Sequence, residues 1–184
     1  MFVNNYWSFL ISCHKISSAY RSNPGPLTTS YGCVGTDGNA AQVTYSGYAE
    51  NPYTSDIFAD INLRPYTYLT IGIGSGTTEP DFHDYNLESD LSSSFSDLKS
   101  SVVLGADKDH LKIVGTISGI NSSGSDVTIS EIGLFKGYST SVHNGSRPIY
   151  TPDAKVLYAR ELLETPIVVK ARTGFNLTYE FTIR

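Results

Sequence analysis

The end of the chain constrains the fold most. From 175 to 183, Phe175, Leu177, Tyr179, Phe181 and Ile183 alternate with Asn176, Thr178, Glu180 and Thr182. A strict period of two puts every apolar side chain on one face of an extended strand, so the segment reads as half-buried sheet rather than helix. Residues 111 to 119 repeat the pattern, with Leu111, Ile113 and Ile117 set against Lys112, Thr116 and Ser118. Val127 to Phe135 reads as another strand, and its inward set shifts from Val127 and Ile129 to Ile132 and Leu134, which predicts a bulge near Ser130 and Glu131. The turn residues Asn121 to Ser125 between these two predict an antiparallel hairpin. Thr67 to Ile73 is a strand signal that runs into Gly72-Ile73-Gly74-Ser75-Gly76, read as a tight turn with glycines at positive φ. Lys155 to Arg160 and Ile167 to Lys170 read as two shorter strands. Leu87, Leu91, Phe95 and Leu98 carry helical spacing, so one short helix is expected there despite the serines at 92 to 94 and 96.

Residue usage agrees with sheet. Val, Ile, Thr, Phe, Tyr and Trp total 64 residues, whereas Ala, Leu, Glu, Lys, Arg, Gln and Met total 45. Short strands joined by Gly, Ser and Asn turns, with no long repeat, predict an all-β antiparallel β-sandwich. The strand signals sharpen after Pro65, and residues 22 to 40 form a Gly/Pro/Ser/Thr-rich hinge with turns at Pro24-Gly25-Pro26 and Asp37-Gly38-Asn39. The expected organisation is a mostly irregular N-terminal arm and assembly segment over 1–64, then a sandwich domain over 65–184.

The chemistry available is limited. A net charge of -5 supplies no positive excess for nucleic acid or an anionic membrane surface, and no run is apolar enough for a spanning helix. The first fifteen residues lack a positive n-region and a continuous apolar stretch, so no export signal is expected. The loop after Ile71 has neither the lysine of a phosphate loop nor a following helix, and Glu79-Pro80-Asp81 places negative charge where a phosphate would sit. Asp81-Phe82-His83-Asp84 and Asp107-Lys108-Asp109-His110 lack the spacing of a known metal motif, and no serine sits in a nucleophile elbow. No catalytic, cofactor or metal residues are therefore assigned, and no cofactor is expected. Cys13 and Cys33 lack CxxC spacing; two reduced thiols are the expectation and a disulfide between them is the alternative.

Tyrosine is the unusual component, with 13 in the chain and seven of them between Tyr20 and Tyr68. Tyrosine joins a large contact area to a polar tip at small entropic cost, which suits protein interfaces and sugar-stacking surfaces as well as half-buried sheet. Tyr6, Trp7, Tyr20, Tyr31, Tyr45, Tyr48 and Tyr53 are the candidate assembly contacts.

Three segments in order carry a resemblance: YLTIGIGSGTTEPDFHDYNLES at 68 to 89, ISEIGLF at 129 to 135, and LYARELLETPIVVKARTGFNLTYEFTI at 157 to 183. Together they resemble a small β-domain of tailed-bacteriophage and prophage structural proteins, with its GxGTTxPxxxDxxLxS, TIxEIGLF and LxARxxFxPIxKxxGxxLxxxYxI patterns. Leu163 stands where an aromatic is common, and residues 136 to 154 form a longer insert. The resemblance implies a non-enzymatic virion component of tail, baseplate, neck, fibre or head, made in the host cytoplasm, that contacts other virion proteins and forms a homo-oligomer. A carbohydrate- or receptor-binding module at a fibre tip, taking a host surface glycan through the tyrosines and the loops 74 to 90 and 136 to 154, is the alternative. Within the motifs, Ile129, Ile132 and Leu134 are expected to share a core with Leu157, Leu177, Tyr179 and Phe181, and Gly133 to permit close packing. Glu131 and Arg160 form a candidate structural pair that fixes strand register.

Overall fold

The computed structural model describes residues 1–8, 26–48, 69–106, 111–138, 142–144, 147–149 and 154–182. Ten strands account for most of them: β1 (Pro26–Val34), β2 (Ala40–Tyr48), β3 (Leu69–Gly74), β4 (Phe95–Ala106), β5 (Leu111–Asn121), β6 (Val127–Tyr138), β7 (Val142–Asn144), β8 (Arg147–Ile149), β9 (Ala154–Val169) and β10 (Gly174–Thr182). They form two three-stranded sheets, β3-β6-β9 and β10-β5-β4, and a four-stranded sheet, β1-β2-β7-β8. Every pairing is antiparallel. The protein is an all-β antiparallel sandwich, and among the described residues no helix is long and apolar enough to cross a membrane.

The alternation read from the sequence explains how the two three-stranded sheets meet. Ile71 and Ile73 of β3 and Ile129, Ile132 and Leu134 of β6 join Ile113 and Ile117 of β5, Phe95 of β4 and Phe181 of β10 in one buried cluster. Leu177 and Tyr179 line its border. Gly115 sits between Ile113 and Ile117 on β5, and a methyl group there would coincide with Ile71 Cδ1 of the opposite sheet. The two sheets therefore approach through a missing side chain.

The other face of the β3-β6-β9 sheet is covered as well. Val3, Leu87, Phe135 and Leu157 form a second, smaller core there. Leu157 thus belongs to this outer cluster rather than to the inner one with Leu177 and Phe181. Residues 74–90 and the first residues of the chain lie over this face. Val3 N donates to Tyr158 O at 2.9 Å, Arg160 N donates to Met1 O at 3.0 Å, and Phe2 bridges Ala159 in antiparallel fashion. Sheet, sheet and covering loop make three layers around two cores.

Several expectations are corrected by this arrangement. Residues 1–8 are not an irregular arm but pack into the sandwich: Phe2, Val3 and Tyr6 are buried. Residues 4–8 are helical, and the buried side chain of Asn5 bonds both the N–H and the C=O of Val34, each at 2.8 Å. Residues 26–48, also assigned to the arm, form the β1–β2 hairpin, whose turn contains Gly38 at φ +78. The expected helix at 87–98 is absent. Leu87 lies in the covering loop, Ser92–Ser94 make one 3-10 turn and Phe95 opens β4. The four apolar residues do face inward, but from a loop, a turn and a strand. The hairpin expected between β5 and β6 is replaced by a crossing between sheets, because β5 pairs with β4 and β10 whereas β6 pairs with β3 and β9. Asn121 holds this corner: its Nδ2 donates to Ser125 O and Val169 O, and its Oδ1 accepts from Ser123 N and Oγ. The two strands expected at 155–160 and 167–170 are one continuous β9. The bulge expected near Ser130 and Glu131 is present as a register shift between Ile129 and Glu131.

Candidate functional site

Alternation on β3 explains the glycine run. Ile71 and Ile73 face the inner core, so Gly72 and Gly74 face the covering loop. A Cβ at Gly72 would lie 2.6 Å from Phe135 Cε2, and one at Gly74 would collide with the Glu131 carboxylate. Gly76 is similarly crowded: a Cβ there would lie 2.6 Å from Glu88 Cβ and 2.7 Å from Glu131 Cδ. None of the three has the positive φ expected from the sequence; among the described glycines only Gly38 does. Their role is to admit a carboxylate and an aromatic ring against the backbone.

That carboxylate is fully buried. Glu131 Oε1 accepts from Gly76 N at 3.0 Å and Ser89 N at 2.9 Å, and Oε2 accepts from Glu88 N at 3.1 Å and Arg160 Nε at 2.8 Å. An ionised carboxylate has about four lone-pair sites, and all are filled. Arg160 continues the network. Its Nη1 donates to Asp84 Oδ2 at 2.9 Å, and its Nη2 donates to Thr78 O at 3.0 Å and Glu88 Oε2 at 3.3 Å. Burial disfavours the guanidinium charge, but hydrogen bonds and charge from Glu131 and Asp84 outweigh it and hold Arg160 above its ordinary value.

Glu88 closes the loop on itself. Its Oε2 accepts from Thr77 N and Thr78 N, both at 2.8 Å, and its Oε1 accepts from Thr78 Oγ1 at 2.9 Å. Those Thr78 bonds, with the Thr77 bond and the Arg160 charge behind them, lower its pKa. Ser130 Oγ adds a bond to Gly76 O at 2.8 Å. Thus β3, the 74–90 loop, β6 and β9 are clasped at one point by a buried ion pair and its satellites.

The clasp joins Gly74, Gly76, Thr78, Asp84, Glu88 and Ser89 to Glu131 and Arg160. Of these, the sequence pairs only Glu131 with Arg160. Asp84 and Ser89 are letters of the first motif and Glu88 stands at one of its variable positions, and their convergence with Glu131 and Arg160 is not readable from spacing. A fully ligated carboxylate and an arginine held by three acidic residues have no free lone pair to act as base, so this chemistry suits anchoring. Among the described residues no three His, Cys, Asp or Glu side chains are grouped to hold a metal ion.

The aromatic candidates are scattered. Tyr6 is buried, with its ring 4.5 Å from Phe2 and 5.5 Å from Tyr158, so it is a core residue of its own chain and not a surface contact. Trp7 beside it is 38% exposed. Tyr31 lies on β1, and Tyr45 and Tyr48 on β2, where Tyr31 is in register with Val43 and Tyr45 with Thr29. Tyr20 and Tyr53 lie outside the described residues. Cys33 is a free, buried thiol, and burial pushes its pKa up to about 12. Compared with known proteins, the chain matches no family model, no curated protein and no solved structure.

Proposed function

We propose that the protein is a non-enzymatic structural component of a tailed-bacteriophage virion that assembles with other virion subunits in the tail, baseplate, neck or head. The observation that carries this reading is the convergence of the three resembling segments on one clasp. Thr78, Asp84 and Glu88 from the first, Glu131 from the second and Arg160 from the third meet within hydrogen-bonding distance. Residues spread over the chain share one mechanical task, that of fixing a long loop rigidly onto a sheet. A rigid loop on a sandwich is a suitable surface for repeated subunit contact, because little ordering entropy is lost when it docks.

The test is protein analysis of purified phage particles from a lysate in which the gene is expressed. A fixed number of copies per particle, retained through density-gradient purification, is expected. Recovery of the protein only in the soluble fraction, with none on the particles, overturns the reading.

A further inference from the structure

We propose that the cleft between the β1–β2 turn and the clasped 78–88 loop binds a neutral saccharide. The cleft has a volume of about 400 Å³ and is lined by Thr36, Asp37, Asp84, Tyr85, Glu88 and Arg160, among others. This site goes beyond the assembly reading and does not rest on it.

Three observations specify the ligand chemistry. The first is the arginine. Its guanidinium has five N–H donors, and four find acceptors in Glu131, Asp84, Thr78 and Glu88. The fifth, on Nη1, has no acceptor among the described residues, although the side chain is only 3% exposed. A buried charged donor left unmatched is costly, and a ligand oxygen in the cleft satisfies it. The second is charge. Three carboxylates and one guanidinium line the cleft, so an anionic ligand meets net repulsion. Hydrogen bonds from Asn39 lower the pKa of Asp37, and those from Thr78 lower that of Glu88, so both are ionised acceptors at neutral pH. A ligand that donates to carboxylates and accepts from a guanidinium through the same kind of group is a polyol.

The third is the ring. Tyr85 is 44% exposed, and a Cβ at Gly38 would lie 3.1 Å from its Cζ, so the ring rests against a glycine that leaves room for it. It therefore offers an aromatic surface beside hydroxyl-matching groups, the combination that a pyranose needs for its C–H face and its O–H rim. Both walls are fixed beforehand. Asn39 N and Nδ2 bond Asp37 at 3.0 and 2.8 Å, and Asn86 Nδ2 donates to Thr36 O at 3.0 Å, tying the loop to the turn. Preorganised walls keep the entropic cost of binding low.

The experiment is a titration of the ¹⁵N-labelled full-length protein with methyl glucoside, methyl galactoside, methyl mannoside and N-acetylglucosamine. Glucuronate, spermidine and calcium chloride serve as charged comparisons. At least one neutral sugar is expected to shift the signals of Thr36, Gly38, Asn86 and the Arg160 Nε–H. Tyr85→Ala should weaken that binding about tenfold, and Tyr85→Phe should retain it, with the melting temperature of both close to that of the parent. An oligosaccharide ending in the same sugar separates a free ligand from a glycan chain: equal affinity assigns the cleft to one residue, tighter binding to a chain. The proposal is overturned if no neutral sugar moves these signals, if a charged probe moves them instead, or if Tyr85→Ala leaves sugar binding unchanged.

Discussion

Arg160 Nε lies 2.8 Å from Glu131 Oε2 across the β6–β9 pair, although the two residues are not directly opposite: Arg160 faces Gly133, and Glu131 faces Leu162. Gly133, directly opposite Arg160, leaves its own face to the neighbouring apolar groups Phe135, Leu87 and Leu157. On the same face a Cβ at Gly133 would already sit 2.8 Å from Phe135 Cε2 and 2.9 Å from Leu87 Cδ2. Removing one member of such a buried pair costs about 3–5 kcal/mol.

The two members are not equivalent, and this gives the first expectation. Arg160→Met leaves Glu131 with three backbone donors, from Gly76, Glu88 and Ser89. Glu131→Met leaves those three N–H groups and the Arg160 Nε without their acceptor. Of these, Gly76 N and Arg160 Nε are buried, and each orphaned buried donor costs about 1–3 kcal/mol, so Glu131→Met should destabilise more than Arg160→Met in chemical unfolding. Equal midpoints for the two variants would show that the backbone bonds to Glu131 contribute little.

Acid should loosen the clasp from its Glu88 side. The folded-state pKa of Glu88 is depressed below its ordinary value of 4.5, so its contribution is fully present above that value and is lost as pH falls through the folded pKa. Asp126 is depressed for the same kind of reason, by the Lys170 ammonium that donates to it at 2.7 Å. We expect thermal stability to fall as pH is lowered below about 4.5, and Glu88→Gln to flatten part of that slope. An unchanged slope in Glu88→Gln would assign the acid limb to other carboxylates.

At Cys33 burial acts in the opposite direction. A thiol raised to about 12 stays protonated and unreactive in the folded protein, and its contribution to stability is present below the ordinary value of 9.0 and lost as pH rises from there toward 12. In a Cys13→Ser background, alkylation of Cys33 at pH 8 should be limited by unfolding and become immediate in denaturant. Rapid modification of the native protein would contradict the buried placement of this residue.

Glycine positions provide a matched pair. Gly115 has Ile71 in the place of its missing side chain, whereas a Cβ at Gly32 would meet nothing within 4 Å. Gly115→Ala should cost at least about 1–3 kcal/mol through overpacking between the sheets, and Gly32→Ala, at an exposed position of β1, should be close to neutral. Similar losses in both would mean that strand propensity rather than the Ile71 contact governs Gly115.

These residues also show how much of the molecule is legible in its sequence. β10 and β5 are readable because each has one face buried and one exposed, which imprints a period of two on the sequence. The bulge at Ser130 and Glu131 is readable because it shifts that period. Sheet membership is not, since the turn from Asn121 to Ser125 has the composition of a hairpin and its role as a corner depends on Asn121 reaching Val169 O, 48 positions away. The glycines of β3 look like a turn because sequence shows a missing side chain but not the Glu131 and Phe135 groups that fill its place. At the site, Glu131 and Arg160 are readable through the motifs that contain them. Asp84 and Glu88 are not, because a loop has no period to say where its side chains point.

The first eight residues bear most directly on assembly. Tyr6 and Trp7 are neighbours in sequence with opposite environments, Tyr6 in the core against Phe2 and Tyr158 and Trp7 over one third exposed. Tyr6→Ala should therefore cost about 3–5 kcal/mol, as large aromatic truncations in cores do, and should lower the melting temperature whatever the oligomeric state. Trp7→Ser removes exposed surface and should change stability by about 0.5 kcal/mol or less. If Trp7 contacts a second copy of the chain, the mass measured by light scattering falls in Trp7→Ser while the melting temperature of the protomer holds. An unchanged mass excludes Trp7 from such a contact. Deletion of the whole segment confounds the two effects, because it strips Phe2, Val3 and Tyr6 from the cores along with the exposed ring, so the pair of point variants is the measurement that separates folding from assembly.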